Sequence, residues 1–186
     1  RGRKEESVAG AKVLILGAGT GVEAFAAAKL GASNVLATDT NKLSLKLLDY
    51  GIQESKLDGV IQTDVMDLAA VDAQPLPEVD LVVIADVMYN EKLGRLIGRR
   101  VLELFERRYQ RKQKSKPALI ITDSQKFAGT DFVPVLVKEL VRAKRITLEE
   151  AETIQWKERT LDAVTTSGIL IDEDQTQSYK VRYLSV

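Results

Sequence analysis

Apolar positions along the chain fall into two kinds of block. Short runs, apolar at nearly every position, occupy residues 12–16, 34–38, 60–63, 79–85 and 117–122. Runs that short and that unbroken predict strands covered on both faces, as parallel strands are. Between them, apolar residues recur every three or four positions. Residues 22–30 are rich in alanine and stop at Gly31, and residues 41–51 stop at Gly51, so both read as helices closed by glycine. Residues 91–109 place Leu93, Leu96, Ile97, Val101, Leu104 and Phe105 at helical spacing, and residues 132–141 make a further helix. Pro75 and Pro77 mark a loop.

The pattern changes after residue 145. Helix signals thin out, and alternation predicts strands near 147–156, 164–171 and 178–185, with Asp172-Glu173-Asp174-Gln175 as the turn between the last two. Residues 1–10 are polar and read as a frayed remnant ahead of a single domain spanning 11–186. Five strand–helix units followed by an antiparallel end imply an α/β fold. The expected form is a doubly wound, Rossmann-like, mostly parallel sheet, with helices on both faces and an antiparallel C-terminal strand or hairpin. Ligands of such sheets sit beyond the carboxyl ends of the strands. Four of the five strands run into an aspartate there: Asp39, Asp64, Asp86 and Asp123.

Composition narrows the chemistry. The chain has 186 residues, enough for one sizeable core, and its 27 basic and 27 acidic residues cancel. That balance provides no global field to draw in nucleic acid or an anionic membrane. Cysteine and histidine are both absent. Disulfides, thiolate or imidazole metal sites and histidine-based triads are therefore out of reach, and no bound metal is expected. No apolar run approaches the roughly 18 residues of a membrane span, and no signal peptide is visible, so the cytoplasm is the expected compartment. The first residue is Arg1 rather than Met, which leaves room for a removed organellar leader.

Gly17-Ala18-Gly19-Thr20-Gly21 joins the first strand to the first helix. Glycines there permit positive φ and let a ligand approach the backbone. A dinucleotide loop requires G-x-G-x-x-G; here the third glycine comes one residue early and Val22 fills the last position, which favours a ligand without a diphosphate. No Gly-Lys-Ser/Thr follows, so this is not a Walker loop. Asp39, 18 residues past Gly21, stands where a carboxylate can accept both hydroxyls of a ribose, although an aspartate capping the next helix fits the same position. Asp64 is placed to meet an adenine amino group from the third strand, with a plain turn or cap aspartate as its rival.

These residues resemble the seven-β-strand, class I S-adenosylmethionine-dependent methyltransferases. The likeness is carried by VLILGAGTG, by Asp39 and by the strand order. Asp86-Val87-Met88-Tyr89 is similar to the D-x-x-Y motif of the lysine-methyltransferase-like group within them. The likeness covers residues 12–124, and the tail only in architecture. It implies S-adenosyl-L-methionine as cofactor, with Gly17, Ala18, Gly19 and Gly21 at its methionine end and Asp39 and Thr40 at the ribose. Asp64 and Val65 would border the adenine, and Asp86 and Tyr89 would stand by the sulfonium and the incoming amine. Two departures are visible. The family's tryptophan-bearing stretch before the first strand is missing or was cut away, and its Leu-Asp-Trp-like segment after the third strand reads TDVMDLAAV, with no aromatic.

The expected activity is N-methyl transfer to a protein, at a lysine side chain. Asp86 would orient the neutral amine and stabilise developing positive charge, while Tyr89 would offer a hydrogen bond or its ring face. Rival readings for Asp86 and Tyr89 are a helix cap and a half-buried packing tyrosine. Rival functions are a catalytically silent binding module, a nucleotide-dependent oxidoreductase, and a methyltransferase for a small amine or RNA. The D-x-x-Y lacks the two prolines of base-methylating enzymes, which disfavours a nucleobase. Residues 91–116 hold ten Lys/Arg against three acids, read chiefly as the solvated face of an amphipathic helix. Trp156, the lone tryptophan, reads as a packing residue, and the chain is expected to be a monomer.

Overall fold

The structure, a computed structural model, describes residues 8–111, 118–123, 131–165 and 175–185. Its elements, in order, are β1 (Lys12–Leu16), α1 (Val22–Lys29), β2 (Asn34–Asp39), α2 (Lys42–Glu54), β3 (Ile61–Val65) and β4 (Leu81–Ala85). Then come α3 (Glu91–Arg111), β5 (Ala118–Asp123), α4 (Val133–Arg142), α5 (Leu148–Thr153), β6 (Lys157–Thr165) and β7 (Gln175–Ser185). The sheet order is β3-β2-β1-β4-β5-β7-β6. The first five strands are parallel, and β7 joins antiparallel to both β5 and β6. This is the expected doubly wound sheet with an antiparallel hairpin at its end.

The strand sequences explain the two layers. Side chains alternate across a strand, and in β1 both sets are apolar. Leu14 and Leu16, with Val82 and Ile84 of β4, face a core completed by Ile97, Val101 and Phe105 of α3 and by Leu136 and Leu140 of α4. Val13 and Ile15 face the opposite core with Ala24 and Ala27 of α1 and Leu48 and Ile52 of α2. The chain reverses direction along the sheet between β1 and β4, so the crevice at this switch point opens beyond Leu16 and Ala85.

Three expectations are corrected. Gly51 does not close the second helix, which runs on to Glu54. A Cβ there would lie 3.2 Å from Phe25 Cζ, so the glycine serves the close approach of α1 and α2. Residues 147–156 are not a strand: Leu148–Thr153 is a helix. Thr147 accepts the Glu150 N–H and Glu150 accepts the Thr147 N–H, a reciprocal cap that outweighs the alternating apolar pattern. The strand expected at 164–171 begins earlier, with β6 at Lys157–Thr165. The rest of it and the 172–174 turn lie outside the described residues, as do residues 1–7 of the N-terminal segment. No helix among the described residues is long and apolar enough to cross a membrane.

Candidate active site

The glycine loop is built by hydrogen bonds to the end of β2. The N–H groups of Gly17 and Ala18 both donate to the Thr38 carbonyl at 2.9 Å, and Gly21 N–H donates to the Ala18 carbonyl at 2.8 Å. Gly17, Gly19 and Gly21 have φ of 77°, 52° and 96°, the left-handed region that side chains resist. Two of them also have no room for a side chain. A Cβ on Gly17 would lie 2.6 Å from Val87 Cγ2, and one on Gly21 would collide with Leu48. Gly19 differs, since a Cβ there would meet nothing within 4 Å. Its glycine answers to the backbone angle alone.

Asp39 is the clasp of this loop. One carboxylate oxygen accepts the Gly19 N–H at 2.9 Å and the other accepts the Asn41 N–H at 2.8 Å. Each oxygen keeps lone-pair capacity for a further donor. The helix-capping role that competed for Asp39 belongs to Asn41, whose side chain accepts from the N–H groups of Leu43 and Ser44.

Beyond β4, Asp86 is held at φ 52°, in the left-handed region although it is not glycine, with its N–H on the Thr122 carbonyl at 3.0 Å. Such strain concentrates at functional sites. The cap of α3 is Asn90, whose side chain accepts the Leu93 N–H at 2.9 Å, so Asp86 is not the helix cap. Tyr89 is 54% exposed while Met88 beside it is buried, so Tyr89 stands outside the core, and a half-buried packing role remains compatible with its position.

A cavity of about 410 Å³ joins these parts, within the roughly 300–1,000 Å³ of small-molecule sites. It brings together Gly17, Asp39, Thr40, Asp86 and Tyr89 of the expected residues. Within the loop Ala18 is buried, and neither it nor Gly19 or Gly21 lines the cavity. Asp64 and Val65 lie off the cavity as well: Asp64 is exposed and accepts the Val65 N–H at 2.7 Å. The wall on that side comes from the next residues, Met66, Asp67 and Leu68. Periodicity gave no sign of them; the cues were their following directly on a strand's carboxyl end and the match of TDVMDLAAV to the family's segment after the third strand. On the α3 side, Lys92, Leu93 and Leu96 also line the cavity. No cluster of possible metal ligands occurs among the described residues.

Trp156 packs. Its ring meets Phe132 edge-on at 6.1 Å, its indole N–H donates to Asp131 at 2.9 Å, and the Arg182 guanidinium lies 4.4 Å from its ring centre.

A glycine loop at the switch point, a carboxylate at the end of β2 and the seven-strand order define a class I S-adenosylmethionine-dependent methyltransferase. A family profile described as lysine methyltransferase matches residues 2–110, and the chain belongs to that family. No curated protein matches. Among solved structures, the chain is similar to a precorrin-8w decarboxylase from Methanobacterium thermoautotrophicum. The identity is 17%, the coverage 96% of this chain and 83% of that one, and the TM-score 0.59. It is also similar to a precorrin-6y C5,15-methyltransferase from Geobacter metallireducens, at 15% identity, 95% and 79% coverage and TM-score 0.56. A third is TehB from Haemophilus influenzae, at 18% identity, 94% and 56% coverage and TM-score 0.54. These likenesses establish the fold alone, and a fold does not choose a substrate.

The residues present fit S-adenosyl-L-methionine. The bare backbone of the loop gives a close approach, Asp39 lines the cavity with acceptor capacity to spare for ribose hydroxyls, and the cavity is large enough.

Proposed function

We propose that the protein transfers a methyl group from S-adenosylmethionine to a protein lysine side chain. The observation that carries this reading is the meeting of Gly17, Asp39, Asp86 and Tyr89 around one cavity. The loop and Asp39 would hold the cofactor, and Thr40 and the Met66–Leu68 wall would enclose its nucleoside end. When bound, the cofactor supplies an electrophilic methyl on a sulfonium. Asp86 would accept a hydrogen bond from the neutral amine and stabilise the positive charge that grows on nitrogen in the transition state. Tyr89, exposed at the mouth, would offer its hydroxyl or ring face to the same amine. In-line displacement on a methyl group needs orientation more than proton transfer, which suits a chain without histidine. The family's description and the Asp86-to-Tyr89 motif support lysine over other acceptors. A protein substrate, a cytoplasmic setting and a monomeric state belong to the same proposal.

Two measurements test this. S-adenosylhomocysteine should raise the melting temperature in a dose-dependent way, whereas NAD should not. Tritiated methyl donor added with a cell lysate should label protein, in lysine after hydrolysis. Label appearing only in RNA or in small molecules would overturn the substrate assignment.

A further inference from the structure

Residues 66–80, between β3 and β4, contain no helix or strand, yet this segment supplies the Met66–Leu68 wall of the cavity. Such a stretch holds one shape only if its backbone groups have fixed partners. Some of these partners are local, such as the Gln74 side chain, which accepts the Asp67 N–H at 2.8 Å and donates to the Val65 carbonyl at 3.1 Å; three carbonyls of the segment instead share one side chain from outside it. Arg100, on the buried face of α3, is 0% exposed. Its Nη2 donates to the Asp67 carbonyl at 2.7 Å, its Nε to the Leu68 carbonyl at 3.1 Å and its Nη1 to the Gln74 carbonyl at 2.8 Å. Nη1 also meets Glu103, one turn on, at 2.9 Å. The other carboxylate oxygen of Glu103 accepts the Leu76 N–H at 2.8 Å. One ion pair thus ties both limbs of the loop, at 67–68 and at 74–76, to α3.

The pair is chemically suited to this and poorly suited to simple stabilisation. A guanidinium presents five donors in a rigid plane, so it can bind three carbonyls and a carboxylate at once; an ammonium cannot. A buried ion pair seldom stabilises more than well-packed apolar residues of similar size, because both charges lose their hydration. What it can supply is a defined loop conformation.

We propose that Arg100, locked to Glu103, is a positioning residue for the cofactor: it fixes the Met66–Leu68 wall against the nucleoside end of the bound molecule. This rests on reading the cavity as the cofactor site. In a family member with no aromatic after the third strand, the wall has no stacking ring to make up for a loose backbone. Its grip depends on the loop's shape, and α3 supplies the clamp that joins the loop's two limbs.

The test is the affinity of the purified chain for S-adenosylhomocysteine by titration calorimetry, with melting temperature measured beside it. Arg100→Met with Glu103→Met removes the clamp while keeping volume in the core. The expected result is a melting temperature within a few degrees of the parent, a dissociation constant at least tenfold weaker, and faster hydrogen exchange at the amides of Ala70, Gln74 and Leu76. Arg100→Lys, which keeps charge but loses the fork, should weaken binding to an intermediate degree and carries the same test if the double variant does not fold. A folded variant that binds within twofold of the parent overturns the proposal. Asp39→Ala serves as the control for the cavity itself. If it binds like the parent, the cavity is not the cofactor site and both readings fall; if it alone loses binding, only the positioning role falls.

Discussion

At the scale of single residues, the site is organised by backbone angles that its side chains tolerate unequally. Asp86 sits at φ 52°, where a residue with a Cβ is strained by roughly 1–2 kcal/mol but aspartate and asparagine suffer least. Asp86→Asn should therefore leave folding free energy within about 0.5 kcal/mol of the parent in urea titrations. It should nevertheless lower the rate of methyl incorporation at least tenfold, because the amide offers the amine no negative charge. An unchanged rate would remove Asp86 from the chemistry. Gly17 faces two obstacles at once, a φ of 77° and the Val87 side chain against its missing Cβ. Gly17→Ala should cost at least about 1 kcal/mol of stability from the angle alone. It should also weaken S-adenosylhomocysteine binding by displacing Val87, which lines the cavity. A stable variant with parental affinity would show that the loop and the Asp86–Tyr89 segment do not depend on their contact.

At the scale of elements, what was legible in the sequence follows from how local its causes are. The β1 strand, the glycine loop and Asp39 are adjacent or follow from strand–helix alternation, so pattern and spacing sufficed. Asp86 was legible because a strand apolar on both faces pointed to the sheet's interior and its end to the ligand edge, whereas Tyr89 came only from the likeness of Asp86-Val87-Met88-Tyr89 to the D-x-x-Y motif. The family likeness pointed to TDVMDLAAV, but the shape of the wall at Met66–Leu68 was not legible from pattern, since it depends in part on Arg100, 32 residues from Leu68. In the sequence, Arg100 is one of ten cations in a basic run and looks like part of a solvated face. Its burial follows from its place beside Ile97 and Val101 on the inward side of α3. The misread strand at 147–156 is a different failure. The T-x-x-E box of Thr147 and Glu150 was present, but it heads a helix of only six residues, too short to show a 3.6-residue period. That box is the main local cause of α5. Thr147→Ala should therefore destabilise the protein by about 1 kcal/mol, against a few tenths for Glu152→Ala on the same helix, as urea midpoints would show. Equal losses at both positions would mean that α5 is held by packing alone.

At the scale of the whole molecule, the sheet is unevenly supported. The strands β1 and β4 lie between two cores, with helices on either face. At the other end, β7 pairs with β5 only from Arg182 to Ser185. Among the described residues, its remainder, 175–181, pairs only with β6, from Arg159 to Thr165. Because β7 runs antiparallel, this two-stranded ribbon continues past Asp123, beyond the carboxyl edge where the cavity opens. Seven residues at about 3.3 Å each carry it roughly 20 Å past the last β5 pair. A ribbon of two strands is marginally stable without further support. Native-state hydrogen exchange should therefore rank the amides in one order: β1 and β4 slowest, β7 residues 182–185 intermediate, and the ribbon at 159–165 and 175–181 fastest by at least a hundredfold over β1. The same ordering should persist with S-adenosylhomocysteine bound, since that ligand is expected in the crevice beside β1 rather than against the ribbon. A ribbon as protected as β1 in the free protein would mean that something packs on it as firmly as the helices pack on the centre of the sheet.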